Sequence, residues 1–292
     1  MIAKLVAATA AFLLLGAAAP QATRFPAPPR AALPVPPVPA AWTMPHAPFR
    51  ITGNIYYVGT EGLSAYLIAT PKGLILLDAT MEANVPGIEA NIRSLGFKLS
   101  DVKILLNSHA HFDHAGGLAM MKRDTGATLA AMRGDVWALE NGRHDSDQNY
   151  RATFAPVKVD RVLKSGDTVS LGGVTLTAIA TPGHTKGCTT WLMTTRTEWG
   201  MKRVIFPGSL TVAGSKLVGN RQYPGIAADF RRSFDRMAVL KADIVLPAHP
   251  ELAGVTTRKG AELLQPGLLA KLVVGARGAF EQQWLKESAI AR

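Results

Sequence analysis

The chain has 292 residues, 48% of them hydrophobic, and a formal net charge of +11. The apolar fraction excludes a wholly disordered chain, and the single cysteine excludes both an intramolecular disulfide and a cysteine-rich zinc module. Because no run of Lys and Arg exceeds two residues, we interpret the positive charge as a field that attracts anionic partners, or as a basic soluble surface, rather than as a nucleic-acid motif.

The first predicted element is an export signal. Lys4 precedes an apolar run from Leu5 to Ala19, which ends among small residues. A positive charge, a short apolar core and a small-residue exit are typical of a secretory signal peptide. We therefore predict a signal peptide over residues 1–22 and a periplasmic protein. The run is shorter than the about 20 apolar residues that a membrane-spanning helix needs, so we expect no stable membrane anchor.

Residues 23–48 form a predicted proline-rich arm. Ten of the 19 prolines lie between Pro20 and Pro48. Proline fixes φ and lacks a backbone donor, so this segment can form neither a helix nor a central strand. A polyproline linker and an extended arm packed on the domain are the two alternatives, and Trp42 favours packing of the last part. A single catalytic domain is predicted over residues 49–292.

From residue 49 onward, short strand-like runs alternate with helical ones. Gly53-Asn54 separates two such runs and predicts a hairpin. The run Leu74–Leu77 is apolar without alternation, which indicates a strand buried on both faces. Strands are predicted over residues 50–52, 55–58, 65–69, 74–77, 103–106 and 128–132, and helices over 85–95, 117–123 and 134–141.

The second half repeats this organisation without a repeat in the sequence itself. Phe230, Phe234 and Met237 fall at helical spacing and predict an amphipathic helix. Strands are predicted over residues 157–163, 168–171, 174–180, 189–194, 204–206 and 243–246, and helices over 227–240, 268–274 and 280–290. Two groups of strands followed by helices predict an α/β protein with two packed sheets that helices cover from the outside.

Three of the seven histidines lie within the six residues His109-Ala110-His111-Phe112-Asp113-His114. Imidazole and carboxylate groups in such a cluster suit zinc or another borderline divalent ion. In an extended loop, side chains two residues apart point to the same side, so His109 and His111 can converge on one ion. Asp113 and His114 are offset along the loop and can bind a second ion.

Three more candidate residues directly follow predicted strands. His184 lies in the tight turn Thr181–Thr185, His249 lies in Pro247–Pro250, and Asp78 ends the run Leu74–Leu77. Open α/β sheets collect their sites at the carboxyl ends of strands. We therefore predict that His184 completes the first metal site and His249 the second. We interpret Asp78 as a group that orients the ligands rather than as a ligand.

The HxHxDH pattern at His109–His114, with His184 in TPGHT and His249 further on, resembles the metallo-β-lactamase superfamily. The resemblance implies an α/β fold (α+β in some schemes) built as a four-layer αββα sandwich with a dinuclear zinc cleft. β-Lactamases, glyoxalase II, lactonases and RNA-processing nucleases share this motif, so the motif alone does not select a substrate.

Ser209, which follows the predicted strand 204–206, distinguishes the branches of the superfamily. Glyoxalase II, lactonase and nuclease relatives usually carry an Asp here that bridges both ions, and two β-lactamase subclasses carry Cys. Ser209 is similar to the pattern of subclass B3 metallo-β-lactamases, and this similarity extends from Trp42 to His249. A neutral Ser leaves the metal pair with more net positive charge, which suits an anionic substrate.

The resemblance implies a zinc-dependent hydrolase that opens the β-lactam amide bond of penicillins, cephalosporins and carbapenems, and so confers antibiotic resistance. A hydroxide shared between the ions would be the nucleophile. The implied cofactor is two Zn²⁺ per chain, the first held by His109, His111 and His184 and the second by Asp113, His114 and His249.

The resemblance also assigns roles around the metals. Asp113 would orient the hydroxide, Ser209 and Thr211 would bind the substrate carboxylate, and Tyr223 would donate to the oxyanion. The expected partner is a small-molecule β-lactam, with no nucleic acid, and we expect a monomer.

Some residues and functions lie outside this pattern. Cys188 stands where relatives often have Ser, and we interpret it as a small buried side chain rather than a metal ligand. His46 and His144 lie outside the motifs and are interpreted as ordinary polar residues. The alternative function is another metallo-hydrolase on this fold, a lactonase or thioesterase, whose marker would be Asp at position 209. A non-enzymatic protein that uses the zinc cleft for recognition is disfavoured by the complete ligand set.

Overall fold

The structure, a computed structural model, describes residues 37–146 and 152–291. The predicted signal peptide over residues 1–22 and the first part of the predicted arm lie outside the described residues, so export and a periplasmic location stay predictions. Within the described ranges, no helix combines the length and the apolar character that crossing a membrane requires.

The first sheet contains seven strands in chain order. They are β1 (Phe49–Thr52), β2 (Ile55–Tyr57), β3 (Tyr66–Thr70), β4 (Gly73–Leu77), β5 (Val102–Leu106), β6 (Thr128–Met132) and β7 (Arg161–Leu163). Strands β1 to β4 pair antiparallel, and β4 to β7 pair parallel. The predicted hairpin at Gly53-Asn54 is confirmed, and Gly53 has a φ of +52°, a conformation that glycine adopts without strain.

The second sheet contains five strands in the order β12-β11-β10-β9-β8. They are β8 (Thr168–Leu171), β9 (Val174–Ala180), β10 (Thr189–Thr197), β11 (Gly200–Phe206) and β12 (Ile244–Val245). Neighbours pair antiparallel except β11 and β12, which run parallel. The loops that leave β11 and β12 therefore start at the same edge of this sheet.

Six helices accompany the sheets in the described part of the chain. They are α1 (Val85–Ser94), α2 (Phe112–Ala115), α3 (Leu118–Thr125), α4 (Val136–Asn141), α5 (Ile226–Ala238) and α6 (Leu268–Ile290). The two predicted C-terminal stretches, 268–274 and 280–290, are both helical, but they belong to one helix, because α6 continues through Gly275 and Gly278. Glycine lowers helix propensity by about 1 kcal/mol, which the packing of the buried face of α6 overrides.

Three apolar clusters separate four layers. The cluster between the sheets contains Ile75 and Leu77 of β4 with Trp191 of β10. Leu74 and Leu76, the alternate residues of β4, belong to a second cluster that also contains buried side chains of α1 and α3. A third cluster joins the outer face of the second sheet to α5 and α6. The predicted burial of β4 on both faces is confirmed, and the layers form the expected αββα sandwich.

The end of the predicted arm packs on the domain. Residues 40–42 form a short 3-10 helix, and the Trp42 carbonyl accepts a hydrogen bond from Asn84 Nδ2 at 2.9 Å. The Trp42 indole centroid lies 6.2 Å from the Phe112 ring and 5.4 Å from the His249 ring. These contacts place the last residues of the arm beside the loop that carries His249.

Truncating Phe280 should destabilise the fold through the third cluster. Phe280 of α6 is fully buried, and its ring centroid lies 5.3 Å from Phe230 and 5.5 Å from Phe234. Phe280→Ala should lower the free energy of unfolding by about 3–5 kcal/mol, as large cavities in packed cores do. Leu285→Ala is the matched control on the same helix; Leu285 is 61% exposed, and its loss should be below about 0.5 kcal/mol. Chemical denaturation measures both values, and equal losses would contradict this packing.

Candidate metal centre

Strand ends supply the loops of the candidate site. β4 ends before Asp78, β5 ends two residues before Ser108, β9 ends before the turn of His184, and β12 ends before the loop of His249. β4 and β5 are parallel neighbours, as are β11 and β12, so each pair presents its carboxyl ends at one edge. The predicted convergence of loops at strand carboxyl ends follows from this topology.

The His cluster is extended only in its first half. His111 has extended dihedral angles, φ −98° and ψ 154°, and α2 begins at Phe112. The amide groups of His114 and Ala115 donate to the His111 carbonyl at 3.1 and 2.7 Å. The prediction of an extended loop was therefore wrong for Phe112–Ala115, where a helical turn sets the directions of Asp113 and His114.

The first group consists of His109, His111 and His184. One ligand atom from each residue lies within 4.8 Å of the others, and all three residues are buried. The ring centroids are 4.9 Å apart for His109 and His111 and 4.4 Å apart for the two pairs that include His184. The structure thus brings together the three side chains predicted to hold the first ion.

The second group consists of Asp113, His114 and His249. His114 Nε2 lies 3.1 Å from Asp113 Oδ2 and 3.2 Å from His249 Nε2, and the third distance, from His249 Nε2 to Asp113 Oδ2, is 3.6 Å. Nitrogen ligands about 2.0–2.1 Å from one tetrahedral zinc ion lie about 3.3–3.4 Å from each other. The three atoms therefore have the spacing of ligands that share one zinc ion.

Except at His114, whose pKa is raised by Asp113 against the effect of burial, burial keeps the imidazoles in the form that binds metal. It lowers the pKa of His184 and of His249 to about 4, and burial with nearby imidazoles lowers the pKa of His109 well below its ordinary value. Burial alone would raise the pKa of Asp113, but His114 and His249 lower it to about 2. Neutral imidazoles beside an ionised carboxylate are the ligand states that zinc requires.

One nitrogen gives a direct indication that a metal fits. His109 Nε2 is buried and has no hydrogen-bond partner among the described residues. Such a group costs free energy unless a partner binds it. A cation bound by the first group would provide that partner, so the donor set and its geometry fit a metal of the borderline class.

Asp78 contacts the loop that follows β5, at the residues just before the His cluster. It accepts hydrogen bonds from the backbone amide and hydroxyl of Ser108 at 2.7 and 2.6 Å and from Asn107 Nδ2 at 3.1 Å. Asp78 Oδ2 lies 3.8 Å from His114 Nδ1, and burial raises the pKa of Asp78 to about 6. Asp78 and Thr80 have positive φ angles of 61° and 52°, so this loop adopts a conformation that non-glycine residues rarely adopt.

Asp135 is a residue of the site that the sequence analysis missed. Its buried carboxylate accepts hydrogen bonds from the Ala110 amide at 2.8 Å, the Gly187 amide at 2.7 Å and the Thr185 hydroxyl at 2.8 Å. Ala110 lies between two ligands and Thr185 follows a third, so Asp135 joins the two loops of the first group. Its position three residues after the predicted strand 128–132 was the available signal.

His144 also belongs to the site, in contrast to its interpretation as an ordinary polar residue. His144 Nδ1 lies 2.8 Å from His111 Nε2, and the two ring centroids are 4.3 Å apart. Burial, with nearby His184 and Lys186, lowers the pKa of His144 to about 3. No motif in the sequence marks this residue, because it approaches the cluster only through the fold. The other histidine outside the motifs, His46, packs against Phe49 and Tyr57 instead.

Residues 207–211, which follow β11 and form what we term the β11 exit, place hydroxyl groups beside the first group. The hydroxyls of Ser209 and Thr211 are 3.2 Å apart, and Thr211 Oγ1 lies 3.3 Å from His184 Nδ1. The Thr211 carbonyl accepts a hydrogen bond from that same His184 nitrogen at 2.6 Å. The Cys188 thiol is fully buried and donates to the Ser209 carbonyl at 3.5 Å, and burial raises its pKa.

Tyr223 has a partner within the chain. Its hydroxyl donates to Asp229 Oδ2 at 2.7 Å, and its side chain is 6% exposed. Burial and Asp229 raise the pKa of the Tyr223 phenol. The phenol has one proton, so donation to a substrate oxyanion would require that the bond to Asp229 be broken.

Residues 58–249 match the family model of the metallo-β-lactamase superfamily. Among curated proteins, the hydroxyacylglutathione hydrolase of Hyphomonas neptunium is 32% identical over 123 residues, which are 42% of this chain and 40% of that protein. The chain thus spans well under half the length of such curated relatives.

Solved structures match a larger share of the chain. BJP-1, a subclass B3 metallo-β-lactamase of Bradyrhizobium japonicum, superposes with a TM-score of 0.82 and 42% identity, over 87% of this chain and 99% of that one. The native FEZ-1 metallo-β-lactamase of Legionella gormanii superposes with a TM-score of 0.80 and 39% identity, over 84% of this chain and 98% of that one.

Removing the Asp135 carboxylate should destabilise the metal-free protein. Asp135→Ala leaves three buried donors without their acceptor, at about 1–3 kcal/mol for each donor, so we expect a loss of about 3 kcal/mol or more in the free energy of unfolding. Asp124→Ala is the control, because the ion pair of Asp124 with its neighbour Arg123 lies near the surface and should contribute less than about 1 kcal/mol. Denaturation in the presence of chelator measures both variants; a loss at Asp135 no larger than that at Asp124 would refute its role in joining the loops.

Proposed function

The chain belongs to the metallo-β-lactamase superfamily, and on this premise we propose that it is a zinc-dependent β-lactamase of the subclass B3 type. Membership of the superfamily and the His-rich groups support the broader statement of a metal-dependent hydrolase. The proposed substrate class is β-lactam antibiotics, whose cyclic amide bond is hydrolysed. We further propose two Zn²⁺ per chain, one at each group of ligands.

The observation that supports a β-lactam substrate is that the β11 exit carries uncharged hydroxyl groups. The uncharged hydroxyl of Ser209 lies beside that of Thr211, which in turn lies beside His184 Nδ1. Position 209 is where an Asp is the marker of the lactonase and thioesterase alternative. A carboxylate there would add a negative charge at the metals, whereas hydroxyls leave the centre more positive. That charge favours a substrate whose own carboxylate lies near the scissile bond.

The coverage of the two kinds of relative supports the same choice. The match to BJP-1 extends over nearly that whole chain at 42% identity, whereas the match to a hydroxyacylglutathione hydrolase covers 40% of that protein. The match to the hydroxyacylglutathione hydrolase spans 123 residues, fewer than the 141 from His109 to His249, so it does not include all six candidate ligands. The wider match includes the second half of the chain, where the candidate substrate contacts lie.

The residues of the site divide the reaction between them. Zinc, when bound, acts as a Lewis acid and lowers the pKa of a coordinated water to about 7. Asp113 stays ionised at neutral pH, so it can accept a hydrogen bond from the attacking water and orient it toward the lactam carbonyl carbon. Ser209 and Thr211 donate hydrogen bonds to the substrate carboxylate and hold the ring over the ligands.

The reaction balances without a nucleophilic side chain. The oxygen of the water forms a bond to the carbonyl carbon, the carbon–nitrogen bond breaks, and a proton derived from the water ends on the released nitrogen. Cys188, the one thiol of the chain, is buried, and burial raises its pKa, so it remains a thiol and takes no part.

A comparison of substrates tests the proposal. Purified protein should hydrolyse a carbapenem with a higher kcat/KM than an aryl lactone or a glutathione thioester. Chelator should abolish this activity and added zinc should restore it, because zinc supplies the activated water. Turnover of the lactone or the thioester above that of the carbapenem would refute the assignment and support the alternative hydrolase.

Substitution of Ser209 isolates the effect of charge. Ser209→Asp should lower kcat/KM for the carbapenem by tenfold or more, about 1.4 kcal/mol in transition-state stabilisation. Ser209→Asn, which has nearly the same shape as Asp and no charge, should lower it less. Steady-state kinetics at matched zinc content compare the two, and equal losses would show that size rather than charge determines the effect.

A further inference from the structure

Each ring of the first group has its second nitrogen beside an acceptor or donor. Hydrogen bonds to the outer nitrogen of a ligating imidazole fix its tautomer and its orientation. The three contacts are His109 Nδ1 to Ser108 Oγ at 3.0 Å, His184 Nδ1 to the Thr211 carbonyl at 2.6 Å, and His111 Nε2 to His144 Nδ1 at 2.8 Å. Two of these partners sit within or next to the predicted motifs, and His144 does not.

The fold holds His144 in place independently of His111. His144 follows Gly142, whose left-handed φ of 64° ends α4. The next residue, Asp145, accepts a salt bridge from Lys186 at 2.6 Å, and Ser146 accepts a hydrogen bond from Asn220 Nδ2 at 3.0 Å. The two residues that follow His144 are therefore anchored to the second half of the chain, one by Lys186 and the other by Asn220.

A histidine at position 144 costs free energy if its ring only fills space. Its Nε2 is buried and has no hydrogen-bond partner within the described residues, so the contact with His111 is the polar contact that the fold gives this ring. A buried polar nitrogen without a partner costs about 1–3 kcal/mol, which an apolar side chain of similar size would avoid. A hydrogen bond from His111 to His144 Nδ1 that serves metal binding would explain why a histidine lies at this position.

We propose that His144 is a positioning residue for the metal ligand His111. Its Nδ1 accepts the proton of His111 Nε2, which holds His111 in the tautomer whose Nδ1 carries the lone pair for the first metal ion. Of the six proposed ligands, His144 lies within hydrogen-bond distance of His111 and interacts electrostatically with His184, and both belong to the first site. The inference rests on the metal-binding part of the proposed function and is independent of the substrate.

Two variants separate the acceptor from the bulk of the ring. His144→Leu keeps a similar volume without an acceptor, whereas His144→Asn puts an amide oxygen near the place of Nδ1. His46→Leu is the control for loss of an imidazole elsewhere, because His46 packs against Phe49 and Tyr57. Zinc-loaded full-length protein is equilibrated in buffers of stepped free zinc concentration, and bound zinc per chain is measured.

In His144→Leu, one zinc equivalent should dissociate at a free zinc concentration about 10–100-fold higher than in the unsubstituted protein, and the other should be unchanged. His144→Asn should restore retention of that equivalent, and His46→Leu should resemble the unsubstituted protein. Unchanged retention in the Leu variant, an equal shift of both equivalents, or an Asn variant as weak as the Leu variant would each overturn the proposal.

A second measurement needs no variant. The imidazole nitrogen resonances of the zinc-loaded, ¹⁵N-labelled protein should assign metal coordination to Nδ1 and a proton to Nε2 of His111. Coordination through Nε2 would overturn the proposal even if the Leu variant fails to fold. A protein that binds zinc as expected and leaves β-lactams intact would refute the proposed substrate while supporting this role of His144.

Discussion

Two buried carboxylates, Asp78 and Asp135, accept hydrogen bonds from the loops that carry the candidate ligands. Between them they receive three backbone amides, two hydroxyls and one side-chain amide. Burial raises the pKa of both to about 6 even though these donors act in the opposite direction, so burial disfavours the charged form of both groups. The donors offset that cost and, in doing so, fix the spacing of loops that are far apart in sequence. The positions of the loop that carries His109–His114 and of the loop that carries His184 depend on these hydrogen bonds.

The electrostatic arrangement of the cluster complements this framework. Burial lowers the pKa of four of the six candidate ligands, His109, His111, His184 and His249, so these imidazoles are neutral at physiological pH. A site that gathers lone pairs and one ionised carboxylate among buried side chains is favourable chiefly for a bound cation. Burying these polar groups costs free energy because each ligand loses its hydrogen bonds to water. A bound cation would interact with all of them at once and offset that cost, which contributes to metal affinity.

The sequence was most informative where the signal is local. The hairpin at Gly53-Asn54 and the convergence of His109 with His111 depend on residues close together in the chain, and the structure places them as predicted. The helical turn at Phe112–Ala115 and the continuous α6 were missed, because short helices and glycine-containing ones owe their stability to tertiary packing rather than propensity. Asp135 and His144 were missed for a related reason. Each reaches the site across a loop, and no spacing rule connects them with the ligands they contact.

The similarity of this chain to both β-lactamases and hydroxyacylglutathione hydrolases can be explained if different residues of the site activate water and select the substrate. Water activation needs the ligand set and its carboxylate supports, and these are built mostly from the first sheet, with His184 and His249 contributed by the second. Under the proposed function, groups at the rim select the substrate, and the β11 exit would provide them through Ser209 and Thr211. A change of residue at position 209 alters charge beside Thr211 and leaves all six candidate ligands in the chain. Under the proposed function, the residue at position 209 therefore bears more directly on the choice between a thioester and a lactam than the metal ligands do.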